Sequence, residues 1–142
     1  MCLITEQKIA KILKEDLTVY KTLQIVRGNN LKSMKHEFYW DIGRLYKQPL
    51  KVDNIPDTMA DKIVDDHYFK DGGFCTAARY LTNVHDGFHF YCSKERMGKS
   101  CWHGWGEIVR VECTVPKGSR VYFDETGLGV ANQIIINKII TN

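Results

Sequence analysis

Glu107-Ile-Val-Arg-Val-Glu-Cys-Thr-Val115 decides the fold class. Val109, Val111, Cys113 and Val115 alternate with Arg110, Glu112 and Thr114. A period of two belongs to a pleated strand, in which successive side chains leave on opposite faces. One face must enter a core while the other meets water, the usual arrangement of an antiparallel sheet. Pro116-Lys117-Gly118-Ser119 then turns the chain, residues 120–123 resume an extended course, and Asp124-Glu125-Thr126-Gly127 turns it again. Residues 133–140 form an isoleucine-rich strand, buried on most of its surface.

Upstream, residues 16–26 predict another strand, with Leu17, Val19, Leu23 and Ile25 on one face and Lys21 as the exception in that row. Gly28-Asn29-Asn30 signals a turn. Residues 36–47 are aromatic and extended, broken at Asp41-Ile42-Gly43, and Gly87-Phe-His-Phe-Tyr-Cys92 is a short aromatic strand. Ser93 caps a helix expected over residues 94–102, which Gly98 weakens by about 1 kcal/mol relative to alanine. Residues 7–14 suit either a short helix or an extended arm, and residues 54–66 suit an acidic loop. The expected fold is therefore α+β, a mostly antiparallel β-sheet with one or two packed helices, in a single domain over residues 1–142.

Bulk chemistry narrows the function classes. A net charge of +3 is too mild for a duplex nucleic-acid partner. Residues 21–51 carry seven Lys/Arg against two acids, and residues 52–71 carry six Asp against two Lys. One stretch attracts anions and the next repels them, although two solvated faces explain the same charges equally well. Five cysteines, at 2, 75, 92, 101 and 113, form no CxxC pair and are expected as reduced, mostly buried thiols. Neither a signal peptide nor an apolar run long enough to span a bilayer is evident, so the expected location is cytoplasmic, the host cytoplasm for a phage-encoded chain.

No complete catalytic motif is present: there is no GxSxG, P-loop or GxGxxG. Cys92, Cys101 and His103 lie close in sequence but lack the paired spacing of a zinc site, and no metal or other cofactor is expected. Asp65-Asp66-His67 suits a solvated acidic loop better than a base or a cation site. The chain therefore reads as a binding protein.

The aromatic residues are more informative. Tyr39 and Trp40 lie beside Arg44 and Tyr46; Phe88, Phe90 and Tyr91 flank His89; Trp102 and Trp105 bracket His103. Flat rings beside cations suit a nucleobase and its phosphate, with stacking worth about 1–3 kcal/mol per base. The candidate ligand-binding residues are Tyr39, Trp40, Arg44, Tyr46, Phe88, His89, Trp102, Trp105 and Lys117. A sheet of this size also needs aromatics in its core, and each ring alone fits that role. If Trp40 and Arg44 line a site, truncating either should leave thermal stability nearly unchanged.

The order of segments carries a resemblance. Met-Cys-Leu-Ile-Thr at the start is followed by Val19-Tyr20-Lys21, Ile42-Gly43-Arg44-Leu45-Tyr46, Gly87-Phe88-His89-Phe90, residues 111–119 and Ala131-Asn132-Gln133-Ile134-Ile135-Ile136. Over nearly its whole length the chain resembles a family of small phage and gut-bacterial proteins, associated with the phage anti-CBASS sponge proteins. That resemblance implies a homo-oligomer that sequesters a cyclic dinucleotide or related immune signal without cleaving it. The alternatives are a nucleotide-processing enzyme, of ADP-ribosyltransferase-like or degrading type, and a protein-interaction inhibitor. The enzyme would draw on His89, Tyr91 and Glu107 or Glu112.

Overall fold

The computed structural model describes residues 3–27, 30–33, 37–55, 81–98 and 107–140. In chain order these form β1 (Leu3–Thr5), β2 (Lys11–Ile12), β3 (Leu17–Val26), β4 (Asn30–Lys32), β5 (Tyr39–Trp40), β6 (Leu45–Lys47) and β7 (Lys51–Ile55). There follow β8 (Leu81–Asp86), β9 (Phe88–Tyr91), helix α1 (Lys94–Gly98), β10 (Glu107–Val115), β11 (Arg120–Phe123), β12 (Leu128–Ala131) and β13 (Gln133–Ile140).

The alternating stretch forms the middle of the larger sheet. Along β10, Val111, Cys113 and Val115 are fully buried. β10 pairs antiparallel with β3 from Glu107↔Ile25 to Val115↔Leu17, and on its other side with β13. The β10–β13 register shifts at Glu112/Cys113. Near this bulge the Asn137 side-chain amide donates to Thr114 Oγ1 at 2.8 Å. The sheet runs β2-β11-β12-β9-β3-β10-β13-β6, with β4 and β5 joined at β3. Leu13, just past the first strand of that order, shares one core with Val19, Leu23, Val111, Ile134 and Ile136. A flat sheet cannot bring both ends to one cluster, so this sheet curls in the direction of its twist.

The second sheet, β1-β8-β7, covers the outer side of that curl. β11 and β12 are buried on both faces. Val121 and Ala131 enter the main core, while Tyr122 and Val130 pack with Leu3 and Val84. Gly129 stands opposite Phe90 in the ladder, and a Cβ there would lie 2.4 Å from Phe90 Cζ. The ring thus occupies the space over the glycine.

Of the one or two packed helices expected, the described residues contain one short one, packed on the sheet with Met97 buried. The architecture is mostly antiparallel β, and the helix among the described residues spans five positions. Ser93 does cap it, accepting from the Arg96 amide at 3.1 Å. Of the two courses open to residues 7–14, the chain takes the extended arm: Lys11 and Ile12 pair with β11 as an edge strand. Among the described residues no helix is long and apolar enough to cross a membrane.

Candidate functional site

The notable place in the sheet is a split along one edge of β3. β9 pairs with that edge at Tyr20↔Tyr91, whereas β4 pairs with it from Gln24↔Lys32 onward. Between them β9 and the β4–β5 arm diverge, and the edge from Lys21 to Leu23 faces the gap. Lys21 lies in the inward row of β3, two residues from Val19 and two from Leu23, both buried. Its side chain enters the gap, where Nζ donates to the His89 carbonyl oxygen and lies 5.6 Å from the centroid of the Trp40 ring. The ammonium therefore bridges two arms that the backbone ladders leave apart.

The rings around this cation pack edge to face. Trp40 sits 4.7 Å from Phe38, 4.8 Å from Tyr46 and 5.6 Å from Phe88, centroid to centroid. These offset geometries let the positive edge of one ring meet the negative face of the next. The Trp40 indole N–H donates to Ser33 Oγ at 2.8 Å, which satisfies its polar end. The loop from β5 to β6 then brings a second cation to the cluster. The Asp41 amide donates to Tyr46 Oη at 2.6 Å, and the Arg44 guanidinium lies 5.2 Å from the Tyr46 ring centroid. Arg44 also pairs with Asp41 at 3.6 Å, but both are exposed, so this pair contributes little. Gly43, at φ +85°, supplies the left-handed turn that the loop needs.

Electrostatics mark Lys21 and its neighbours. Burial lowers the Lys21 pKa from 10.5 to about 8, with the Cys113 thiol opposing weakly. Part of the Lys21 surface remains accessible. The depression therefore reflects the protein packed around the ammonium more than complete exclusion of water. Among the described residues no carboxylate forms an ion pair with it. Burial, and then the Lys21 charge, push the His89 imidazole down to about 4, so it stays neutral at physiological pH. Its Nε2 is buried with no hydrogen-bond partner among the described residues. Burial raises the Cys113 thiol to about 12, which keeps it protonated. Cys92 and Cys113 are both free thiols.

Of the residues expected from sequence, Trp40, Arg44, Tyr46 and Phe88 come together in the cluster beside Lys21 and His89 contributes its carbonyl oxygen, whereas Tyr39 lies on the opposite face of β5. Trp40 and Phe88 are 6% and 7% exposed and belong to the core, whereas the adjacent Tyr39 is 52% exposed. Truncating Trp40 therefore carries a stability cost, contrary to the expectation from sequence. Lys117 lies elsewhere. It follows β10 at the Leu17 end of β3, and its amide donates to Asp16 Oδ1 at 2.8 Å. Trp102 and Trp105, like Cys101, His103 and Asp65-Asp66-His67, lie outside the described residues. Lys21 was absent from the candidate set, although its signal was visible as the charged residue in an apolar period-two row. Among the described residues no group of three His, Cys, Asp or Glu side chains is arranged to hold a metal ion.

Compared with known proteins, the chain matches no family model, no curated protein and no solved structure.

Proposed function

We propose that this protein binds and sequesters a small anionic nucleotide without cleaving it, of the cyclic (oligo)nucleotide class that bacterial CBASS-type defence uses as a signal. The observation that carries the reading is Lys21, an inward cation beside Trp40 with no carboxylate partner among the described residues. A buried charge without a counter-ion is costly, and a phosphate oxygen would offset that cost while accepting the remaining ammonium N–H groups. Half-buried Tyr46 and the Arg44 guanidinium offer stacking surface and a second positive charge at the same place. Sequestration requires affinity rather than a transition state, which agrees with a site rich in rings and cations. The resemblance of the segment order to phage sponge proteins extends this reading to a homo-oligomer acting in evasion of host defence.

Isothermal titration against a panel of cyclic mono- and dinucleotides, with chromatographic recovery of the ligand, tests the proposal. Binding of at least one member, intact recovery, and an affinity at least tenfold weaker in Lys21→Met are expected. Failure of every member to bind refutes it, and recovery of a cleaved ligand favours the nucleotide-processing enzyme instead. A second reading, protein docking, draws on Tyr39, Ile42 and Leu45, which expose apolar surface on the edge next to the same loop.

A further inference from the structure

We infer that the edge of β2 is a docking strand for a short, extended acidic segment of another protein, which pairs with the main chain of Ile12 between Lys11 and Lys14. The inference is independent of the nucleotide reading, because β11, β12 and β9 lie between β2 and the strand that carries Lys21. Backbone alternation leaves a hydrogen-bonding pair in the open. The Leu13 amide donates to the Ser119 carbonyl at 3.0 Å, and its carbonyl accepts from the Gly118 amide at 2.9 Å. Both polar groups of Leu13 thus point to the β11 side. Successive residues of an antiparallel strand aim these groups in opposite directions, so those of Ile12 face away from β11. Among the described residues no strand covers that side.

The arm is held in shape before any partner arrives. Gln7 Nε2 donates to the Ile9 carbonyl at 2.7 Å and to the Val121 carbonyl at 2.8 Å, and Gln7 Oε1 accepts from the Phe123 amide at 3.1 Å. At the other end the Leu13 side chain is anchored in the main core. An edge pinned at both ends loses little freedom when a segment joins it.

The side chains select the occupant. Residues 8–14 include Lys8, Lys11 and Lys14, all exposed, and no acid. Arg120, opposite Ile12 in β11, is exposed as well. Among the described residues no carboxylate forms an ion pair with Lys11 or Lys14. Glu15 and Asp16 follow the arm, and Asp16 Oδ1 already accepts from the Lys117 amide. Lysines on an edge deter pairing between copies of a chain. Here a second β2 joined antiparallel at Ile12 would set the two Lys11 side chains diagonally across the ladder, within reach of each other. The same charges favour a strand that brings carboxylates. Ile9 and Ile12, 78% and 59% exposed, add apolar surface that a guarded edge does not need and that a bound strand would cover.

The probe is a fluorescein-labelled peptide of alternating aspartate and valine, titrated into the intact chain at low ionic strength and read by fluorescence anisotropy. Peptides with lysine or serine in place of aspartate are titrated alongside. The acidic peptide is expected to bind at least tenfold more tightly than either. In isotope-edited NMR its effects should centre on residues 8–14, and hydrogen exchange at the Ile12 amide should slow at least tenfold. Ile12→Pro removes the outward N–H, a place where an edge strand tolerates proline, and should abolish binding while the melting temperature stays within a few degrees. Lys11→Glu combined with Lys14→Glu leaves the backbone alone and should weaken binding at least tenfold, so it carries the test if the proline variant unfolds. No binding of the acidic peptide, equal binding of the serine peptide, or full binding by the double glutamate variant overturns the inference. So does binding that survives in a folded Ile12→Pro, or NMR effects centred away from residues 8–14. A concentration-dependent dimer that Ile12→Pro abolishes would assign the edge to a second copy of the chain and overturn it as well.

Discussion

Replacing Lys21 by methionine removes a charge from the inner row of β3 while keeping a side chain of similar length. The magnitude follows from the shift of its pKa from 10.5 to about 8. At about 1.36 kcal/mol per unit, the ammonium is penalised in the folded chain by at most about 3 kcal/mol. The accessible part of the residue reduces this toward about 1–2 kcal/mol. Methionine forfeits the hydrogen bond to the His89 carbonyl, worth about 1 kcal/mol. The sign depends on pH. Below about pH 8 the group is protonated in both folded and unfolded chains, and the penalty is fully present. Between about pH 8 and 10.5 the folded chain has released a proton that the unfolded chain retains, so stability rises with pH and the penalty fades. The variant is therefore expected to equal or exceed the parent by up to about 1 kcal/mol near pH 7, and to fall below it by about 1 kcal/mol near pH 10. Urea denaturation of both proteins at the two pH values, read by tryptophan fluorescence, gives the difference directly, and subtraction cancels other groups that titrate in this range. A parent-minus-variant difference that stays constant from pH 7 to 10 would refute the reasoning, because Lys21 would then titrate alike in both states.

Three further outcomes follow from the packing. Gly129→Ala places a Cβ against the Phe90 ring and should lower stability by about 1–3 kcal/mol through overpacking, measured as a lower Tm, whereas Phe90→Ala in the Gly129→Ala background should lose less than the two costs added. Asp124 Oδ1 accepts from the Thr126 amide, Thr126 Oγ1 and the Leu128 amide, at 2.8, 2.8 and 3.0 Å. Asp124→Ala should cost about 1–2 kcal/mol in chemical denaturation and Asp124→Asn clearly less, since an amide oxygen keeps part of the turn. Arg44→Ala should leave the melting temperature within a degree or two while weakening nucleotide binding in calorimetry, since its guanidinium is exposed beside Tyr46, and Trp40→Ala should lose about 3–5 kcal/mol of stability because its ring lies in the core.

The contrast between Tyr39 and Trp40 shows what the sequence made legible. Residue type alone, an aromatic near a cation, favoured both equally. Their neighbouring positions in β5 send them to opposite faces, and only pairing with β4 determines which face is the core. β10 was legible because its alternation is unbroken over the seven residues from Val109 to Val115. β12 was not, because Leu128 to Ala131 is a short segment between two layers, where burial on both faces erases the alternation. β8 mixes Thr82, Asn83 and His85 with Leu81 and Val84, and its strand character comes from β1 and β7 on either side. Of the helix expected over residues 94–102, Lys94–Gly98 is helical and residues 99–102 lie outside the described residues. Lys21 stood out as the break in an otherwise apolar row, and such breaks of pattern are where function tends to reside.

Whether Lys21 serves recognition or only holds two strands together can be separated by charge. A bridge to the His89 carbonyl requires one donor and no charge. A neutral donor in this place avoids most of the desolvation cost, which is larger than the roughly 1 kcal/mol that the hydrogen bond contributes. As a bridge to that carbonyl alone, then, lysine is the more expensive choice; within the fold the Trp40 face gives the charge a cation–π partner, and an anionic ligand would give it a second. Lys21→Gln retains a donor and removes the charge. It should be at least as stable as the parent at neutral pH in urea denaturation, yet bind an anionic ligand at least tenfold more weakly. If Lys21→Gln instead binds the ligand with the affinity of the parent, the ammonium has no part in recognition, and the gap beside Trp40 is a feature of sheet construction alone.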